Sequence, residues 1–174
     1  MQALDSEIID KIYEKMDVLD SETLYNSADY NLRCVSVFDR LLTEEESEQQ
    51  IFFYQYAVDQ GKTAESERYF TRHDQLVNFY LEIYRRTTVF GVLSGRAIVK
   101  FDTIEEYKSH VLLSVREQLF LKILLPEFCS VIEGNFDLQH LLYTLKSEPK
   151  MEKMIILIIK ESRLFVSDLI LPRD

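Results

Sequence analysis

Glycine is scarce in this chain, with four residues among 174. Neither the glycine-rich turn of dinucleotide-binding folds nor the phosphate-binding loop of P-loop enzymes is present. Gly91 and Gly95 form no loop that could surround a phosphate group. The scarcity argues against a nucleotide-dependent enzyme, and we expect no cofactor.

Cysteine is also rare: Cys34 and Cys129 are far apart in the chain and belong to no paired motif. A chain of this length can bury a sizeable core without disulfides or metals. We therefore expect two buried thiols rather than a bridge, which favours a reducing compartment. No spacing of cysteines or histidines indicates a metal site.

Long apolar runs are missing. The longest uninterrupted one extends from Met154 to Ile159, far short of the roughly 20 residues that a membrane-spanning helix requires. The acidic N-terminal stretch has no basic segment followed by an apolar core, as a secretory signal would. We predict a cytoplasmic protein that does not contact the membrane.

The negative charge is unevenly distributed. The formal net charge is −10, and residues 1–65 account for all of it, with 15 acidic and 5 basic side chains. The remaining residues carry 15 of each and are neutral overall. Phosphates would be repelled by such a chain, so nucleic acid is not expected as a partner. A basic protein surface would instead be attracted. The alternative is that the acids form a solvated face that keeps the protein soluble.

Apolar spacing in the first half of the chain predicts helices. We expect them over residues 4–16, 28–42, 43–61 and 63–86, with a connection over 17–27. Thr43 and Glu46 fit a capping box that opens the third of these helices. Gly61 is a natural end for it. The spacing thus predicts an acidic helical region over residues 1–86.

The second half reads as mixed structure. Residues 85–101 predict a hairpin, and a helix follows and ends before Pro126. Strands over 128–132 and 136–145, a helix opened by Pro149 and a strand over 164–166 complete the order. The alternative for residues 154–159 is a buried strand, because periodicity does not separate the two. The order predicts an α+β fold in which the helical region packs on a ferredoxin-like βαββαβ sandwich over 87–174, as one compact unit. The alternative is a mainly α protein with a small antiparallel sheet.

His73 and His140 are the histidines that we considered as catalytic or metal-binding residues. His73-Asp74 is similar to the HD pair of metal phosphohydrolases, but the further ligands of such a site are missing, so we interpret His73 as a packing residue. His140 lies near Glu133 and Asp137, and these groups could cooperate in acid–base chemistry if they converge. On an alternating strand, residues 137 and 140 point to opposite faces, so convergence would require a bulge.

The aromatic residues are concentrated between Phe52 and Phe90. Tyr54 and Tyr56 are two positions apart and cannot share one helix face, so one of them must lie off the core stripe. Exposed tyrosines are favoured anchors in protein interfaces. The alternative is a second packing face within the molecule.

The sequence therefore favours a non-enzymatic interaction protein that binds a basic protein partner through an acidic, Tyr-rich helical face, roughly residues 28–66. By analogy with small acidic proteins, it would be of the immunity, inhibitor or regulatory type. Its expected interaction residues are Glu44, Glu45, Glu46, Glu48, Tyr54 and Tyr56, and no catalytic residue is assigned.

A small enzyme or ligand-sensing domain with a site near Glu133, Asp137 and His140 is the alternative function. Homodimerisation through an exposed sheet edge is compatible with both functions, because an unpaired strand offers free backbone groups to a second copy.

Overall fold

The computed structural model of the chain describes residues 2–3, 10, 21–40, 43, 45–46, 50, 53–92, 98–134 and 138–169. Helices and one antiparallel sheet make up these ranges, which confirms the α+β class. The helices are α1 (Ser21–Asn26), α2 (Tyr54–Asp59), α3 (Ala64–Arg86), α4 (Ile104–Val115) and α5 (Pro149–Glu161). The strands are β1 (Gln2–Ala3), β2 (Tyr30–Ser36), β3 (Phe90–Val92), β4 (Ile98–Lys100), β5 (Lys122–Leu125), β6 (Ser130–Gly134), β7 (Gln139–Leu145) and β8 (Phe165–Asp168).

The sheet consists of seven strands and the two-residue β1 at one edge. Its strand order is β1-β4-β3-β5-β6-β7-β2-β8, and every neighbouring pair is antiparallel. The ferredoxin-like topology is not confirmed, because a split βαβ fold has four strands. The alternative of a mainly α protein with a small sheet does not describe this structure either.

Strand β2 connects the two halves of the sequence. It comes from the predicted helical region but lies between β7 and β8, and all seven of its residues pair with β7. Glu152 of α5 reinforces this arrangement because it accepts hydrogen bonds from Asn31, Arg33 and Thr144 at 2.8–3.2 Å. The predicted helix over 28–42 is therefore wrong, since residues 30–36 form an inner strand.

Each face of the sheet has its own apolar cluster. Residues from α3, α4 and α5 pack on one face against strand residues such as Val35, Ile123 and Leu142. The opposite face carries a smaller cluster that includes Phe90, Leu124, Val131, Tyr143 and, from α1, Leu24. Because both faces are buried, the strands do not show the alternation of apolar and polar residues that marks a half-exposed sheet.

Several local predictions are confirmed. Helix α3 begins after Thr63, whose side chain accepts a hydrogen bond from the backbone N–H of Ser66, and it extends to Arg86. The hairpin of β3 and β4 is present, although the turn over 93–97 is outside the described residues. Helix α5 has Pro149 in its first turn and extends to Glu161. It therefore includes the apolar run from Met154 to Ile159.

One helix end differs from the prediction, and one short helix was not predicted. Helix α4 begins after Thr103 as expected but ends at Val115, and residues 122–125 form β5 instead of a further helical turn. Residues 17–27 were expected to be a connection, yet Ser21–Asn26 is a short helix. The predicted helix over 4–16 is outside the described residues apart from Asp10, which is helical.

In the described ranges, no helix is long and apolar enough to cross a membrane.

Candidate functional site

The acidic residues predicted to bind a partner have different surroundings. Glu45 is exposed. Glu46 forms an ion pair with Arg40 and completes the expected capping box with Thr43. The hydrogen bond from Arg40, followed by that from the Thr43 backbone, lowers the pKa of Glu46 to about 2. Glu44 and Glu48 lie outside the described residues. Of the described pair, only Glu45 therefore has no ion pair with another described residue.

Helix α2 presents aromatic side chains to solvent. Phe53, the residue before the helix, and Tyr56 each remain 52% exposed. Ala57 on the same helix is fully buried and anchors it to the core. Gly61 ends this segment with a φ of +63°, a conformation that glycine adopts at little cost. Phe53 was not among the predicted interaction residues, although it belongs to the aromatic run that suggested Tyr56.

Tyr54 points the other way, into a cluster where α2 meets α3 and the end of α4. We call this cluster the α2–α3–α4 junction. The centroid of the Tyr54 ring lies 6.1 Å from that of Phe70 and 5.9 Å from that of His73. The Arg116 guanidinium lies 4.8 Å from the Tyr54 ring centroid, a cation–π distance. Tyr69 completes the cluster with its centroid 6.3 Å from that of His73.

The residues of the alternative catalytic site do not form one site. Strand pairing sets Gly134 opposite His140 and Glu133 opposite Leu141, so His140 and Glu133 lie on opposite faces of the sheet. Asp137 is outside the described residues. Glu133 and His140 therefore cannot act together on one substrate.

His140 is packed under α3. It is 1% exposed, and its Nδ1 forms a hydrogen bond with the Tyr80 hydroxyl, which is also buried. Burial lowers the pKa of His140 to about 4, because a charged imidazole would be desolvated there. Such a side chain stays neutral near pH 7 and has no access to a substrate in solution.

On the opposite face, a buried ion pair joins β5 to β6. Lys122 Nζ lies 2.6 Å from Glu133 Oε1, and both side chains are almost completely buried. The Tyr143 hydroxyl donates to Glu133 Oε2 at 3.1 Å. Because Lys122 and Glu133 are direct cross-strand partners, the pair favours the observed register of these two strands.

The remaining candidate groups offer little reactive chemistry. Both cysteines are free thiols, and burial raises the pKa of Cys34 to about 11, so it is protonated at neutral pH. Cys129 is half-buried. Among the described residues, no group of three or more histidine, cysteine, aspartate or glutamate side chains is arranged to hold a metal ion.

Comparisons with protein-family models, with curated proteins and with solved structures give no match for this chain.

Proposed function

We propose that the protein is a non-enzymatic interaction module that binds a basic protein partner through α2 and the acidic segment around it. The observation that carries the proposal is the exposure of Phe53 and Tyr56, each 52% accessible and three positions apart at the start of α2. Large aromatic side chains supply much of the energy of protein interfaces, since they lose little conformational entropy on binding.

The charge around α2 determines the kind of partner. Glu45, Asp59, Glu65 and Glu67 are exposed in the described part of this region. Together with the net charge of −10 over residues 1–65, they would attract a surface rich in lysine and arginine. The immunity, inhibitor or regulatory class proposed for the protein rests on this acidity.

The burial of the candidate catalytic side chains supports a binding role over catalysis. The described side chains that resemble catalytic groups, His140 and Glu133, are each occupied by an internal partner and are shielded from solvent. The surface aromatics are better suited to a macromolecule than to a small substrate, because about half of each side chain is exposed to solvent instead of enclosed in a pocket.

Site-specific crosslinking in the native cell tests the proposal. A photoreactive phenylalanine analogue replaces Tyr56 in one variant and Phe165, which is 45% exposed on β8, in a control variant. We expect light to join position 56 to one basic protein and to give no such product at position 165. The double variant Phe53→Ala/Tyr56→Ala should bind the purified partner at least tenfold more weakly, as loss of an aromatic anchor does.

Salt provides the second measurement. Association of the purified pair should slow several-fold when NaCl is raised from about 50 to about 300 mM, because screening shortens the range of the attraction. The same crosslinked products at positions 56 and 165, or an association rate unaffected by salt, would contradict the proposed surface.

A further inference from the structure

Three buried polar atoms at the α2–α3–α4 junction have no hydrogen-bond partner. They are Tyr69 Oη, His73 Nε2 and Arg116 Nε, which account for three of the four such atoms in the described part of the chain. Tyr69 is 1% exposed and His73 is 4% exposed. Native proteins satisfy nearly all buried polar groups, so a group of such atoms in one place indicates a missing partner.

These three residues are neighbours. The rings of Tyr69 and His73 lie 6.3 Å apart, and both interact electrostatically with the Arg116 guanidinium. The Tyr54 ring centroid lies 4.8 Å from the Arg116 guanidinium carbon and 5.9 Å from the centroid of the His73 ring. The junction therefore combines one cation, one imidazole nitrogen and one hydroxyl within aromatic walls.

Arg116 has no carboxylate partner among the residues that the structure describes. It is the residue at the end of α4, and its backbone N–H bonds the carbonyl of Leu112. The next residue, Glu117, has a φ of 61°, which turns the chain sharply away from the helix axis. Within the described ranges, no acidic side chain pairs with the guanidinium, and the Tyr54 ring packs against it.

We propose that the α2–α3–α4 junction binds a small monocarboxylate. The Arg116 guanidinium would hold the carboxylate through Nε, and Tyr69 Oη would donate a second hydrogen bond. An arginine fork matches the two oxygens of a carboxylate, and charged hydrogen bonds of this kind are stronger than neutral ones. This site is independent of the partner surface proposed above, although Tyr54 lies on the same helix.

The charges at the junction favour a monoanion over a phosphate dianion. Arg116 contributes one permanent positive charge. Burial lowers the pKa of His73, so its imidazole is neutral near pH 7 and adds no charge, and its one N–H is on Nδ1, which faces the Asp74 carboxylate. Asp74, whose carboxylate lies 3.2 Å from His73 Nδ1, and the charge of Glu117 near Tyr69 would both repel a second negative charge.

The fourth unpaired atom shows why the other three are distinctive. Tyr107 Oη is also buried without a partner. The Tyr107 ring packs against the rings of Tyr84 and Phe101, at centroid distances of 5.0 and 5.1 Å, and no arginine takes part in those contacts. An isolated hydroxyl among aromatic rings lacks the cation that an anion site requires, so we assign no ligand there.

Acetate is the probe for this site, since it is the simplest stable monocarboxylate that carries a methyl group for an aromatic wall. The full chain, labelled with ¹⁵N and ¹³C, is titrated with sodium acetate at constant ionic strength against sodium chloride. The Nε–H resonance of Arg116 reports directly on the proposed contact, and the Cε1–H resonance of His73 reports on its immediate surroundings. We expect both to move along one saturable curve, while the Nε–H resonance of Arg68, an exposed arginine on α3, does not.

Tyr69→Phe is the decisive variant because it removes the unpaired hydroxyl and keeps the packed ring. The free protein should melt at the same or a higher temperature, since a buried group without a partner is lost. Acetate should bind several-fold more weakly than to the parent chain. Arg116→Gln should abolish saturation, and the matched Arg68→Gln should leave the curve unchanged.

Three results would overturn the proposal. Resonances that shift linearly with acetate, as they do with chloride, would leave water as the occupant of the junction. Equal acetate affinity in the parent chain and in Tyr69→Phe would exclude the hydroxyl as a ligand. Tighter binding of inorganic phosphate than of acetate would contradict the charge argument that selects a monoanion.

Discussion

Replacing His140 with asparagine should reduce the loss of stability that the protein suffers on mild acidification. In the folded chain, burial holds the pKa of His140 at about 4, whereas the unperturbed value is 6.5. The unfolded chain therefore takes up a proton at His140 as the pH falls through 6.5, while the folded chain does so only near 4. The contribution of His140 to stability is present above pH 6.5 and is lost as the pH falls towards 4.

The magnitude follows from this pKa difference. Integrating the proton uptake of the two states gives a loss of about 2 kcal/mol between about pH 7 and pH 5. Asparagine does not titrate, and its amide can take the place of imidazole Nδ1 beside Tyr80. The His140→Asn variant should thus lose about 2 kcal/mol less than the parent chain over the same pH interval.

Urea unfolding at several pH values measures this difference, with tyrosine fluorescence and circular dichroism as the signals because the chain has no tryptophan. Tyr80→Phe is the control. It removes the hydrogen bond to His140 but keeps the imidazole buried, so it should lower stability by about 1–3 kcal/mol at every pH and retain the parent slope. Parallel pH profiles for the parent chain and His140→Asn would refute the assignment of this titration to His140.

Three further substitutions test the packing. Lys122→Met should destabilise the fold by about 3–5 kcal/mol, because the buried Glu133 carboxylate would lose the Lys122 ammonium that lies 2.6 Å away. The double replacement Lys122→Met/Glu133→Leu should recover most of this loss in urea unfolding. Gly91→Ala should lower stability by about 1–3 kcal/mol, since a Cβ atom would lie 2.8 Å from Phe101 Cζ, and calorimetry would detect the lower melting temperature. Glu152→Gln should cost about 1–2 kcal/mol in the same assay, because it weakens the charged hydrogen bonds from β2.

Local signals in the sequence were sufficient to predict the helices that begin at a residue typical of a helix start. Thr63 and the apolar period after it predicted α3, and Pro149 predicted the start of α5. The end of α4 could not be found this way, because the left-handed residue that terminates it is Glu117 and not glycine. Backbone strain at an acidic residue leaves no compositional signal.

Strand β2 was misread for a different reason. Leu32, Val35 and Phe38 have helical spacing, but long-range pairing with β7 fixes residues 30–36 as an extended chain buried on both sides. Tertiary pairing outweighs local periodicity in such a segment. The pairing could not be read from the local sequence because more than one hundred residues separate the two strands.

The candidate site was only partly predictable. The spacing of Tyr54 and Tyr56 correctly indicated that they face different ways, and the structure adds which of them is exposed. The approach of Arg116 to Tyr54 and His73 depends on the packing of three helices. No pattern in the sequence near residue 116 indicates that contact.

The position of β2 between β7 and β8 also determines when the protein can fold during synthesis. Residues 30–36 leave the ribosome long before residues 139–145 and 165–168, which form both of their neighbours in the sheet. Until then, the strand has no native backbone partner on either edge, and its apolar side chains remain available for unwanted association. Such distant pairing slows folding, so chaperone capture is expected to concentrate on nascent chains that have exposed β2 but have not yet completed β8.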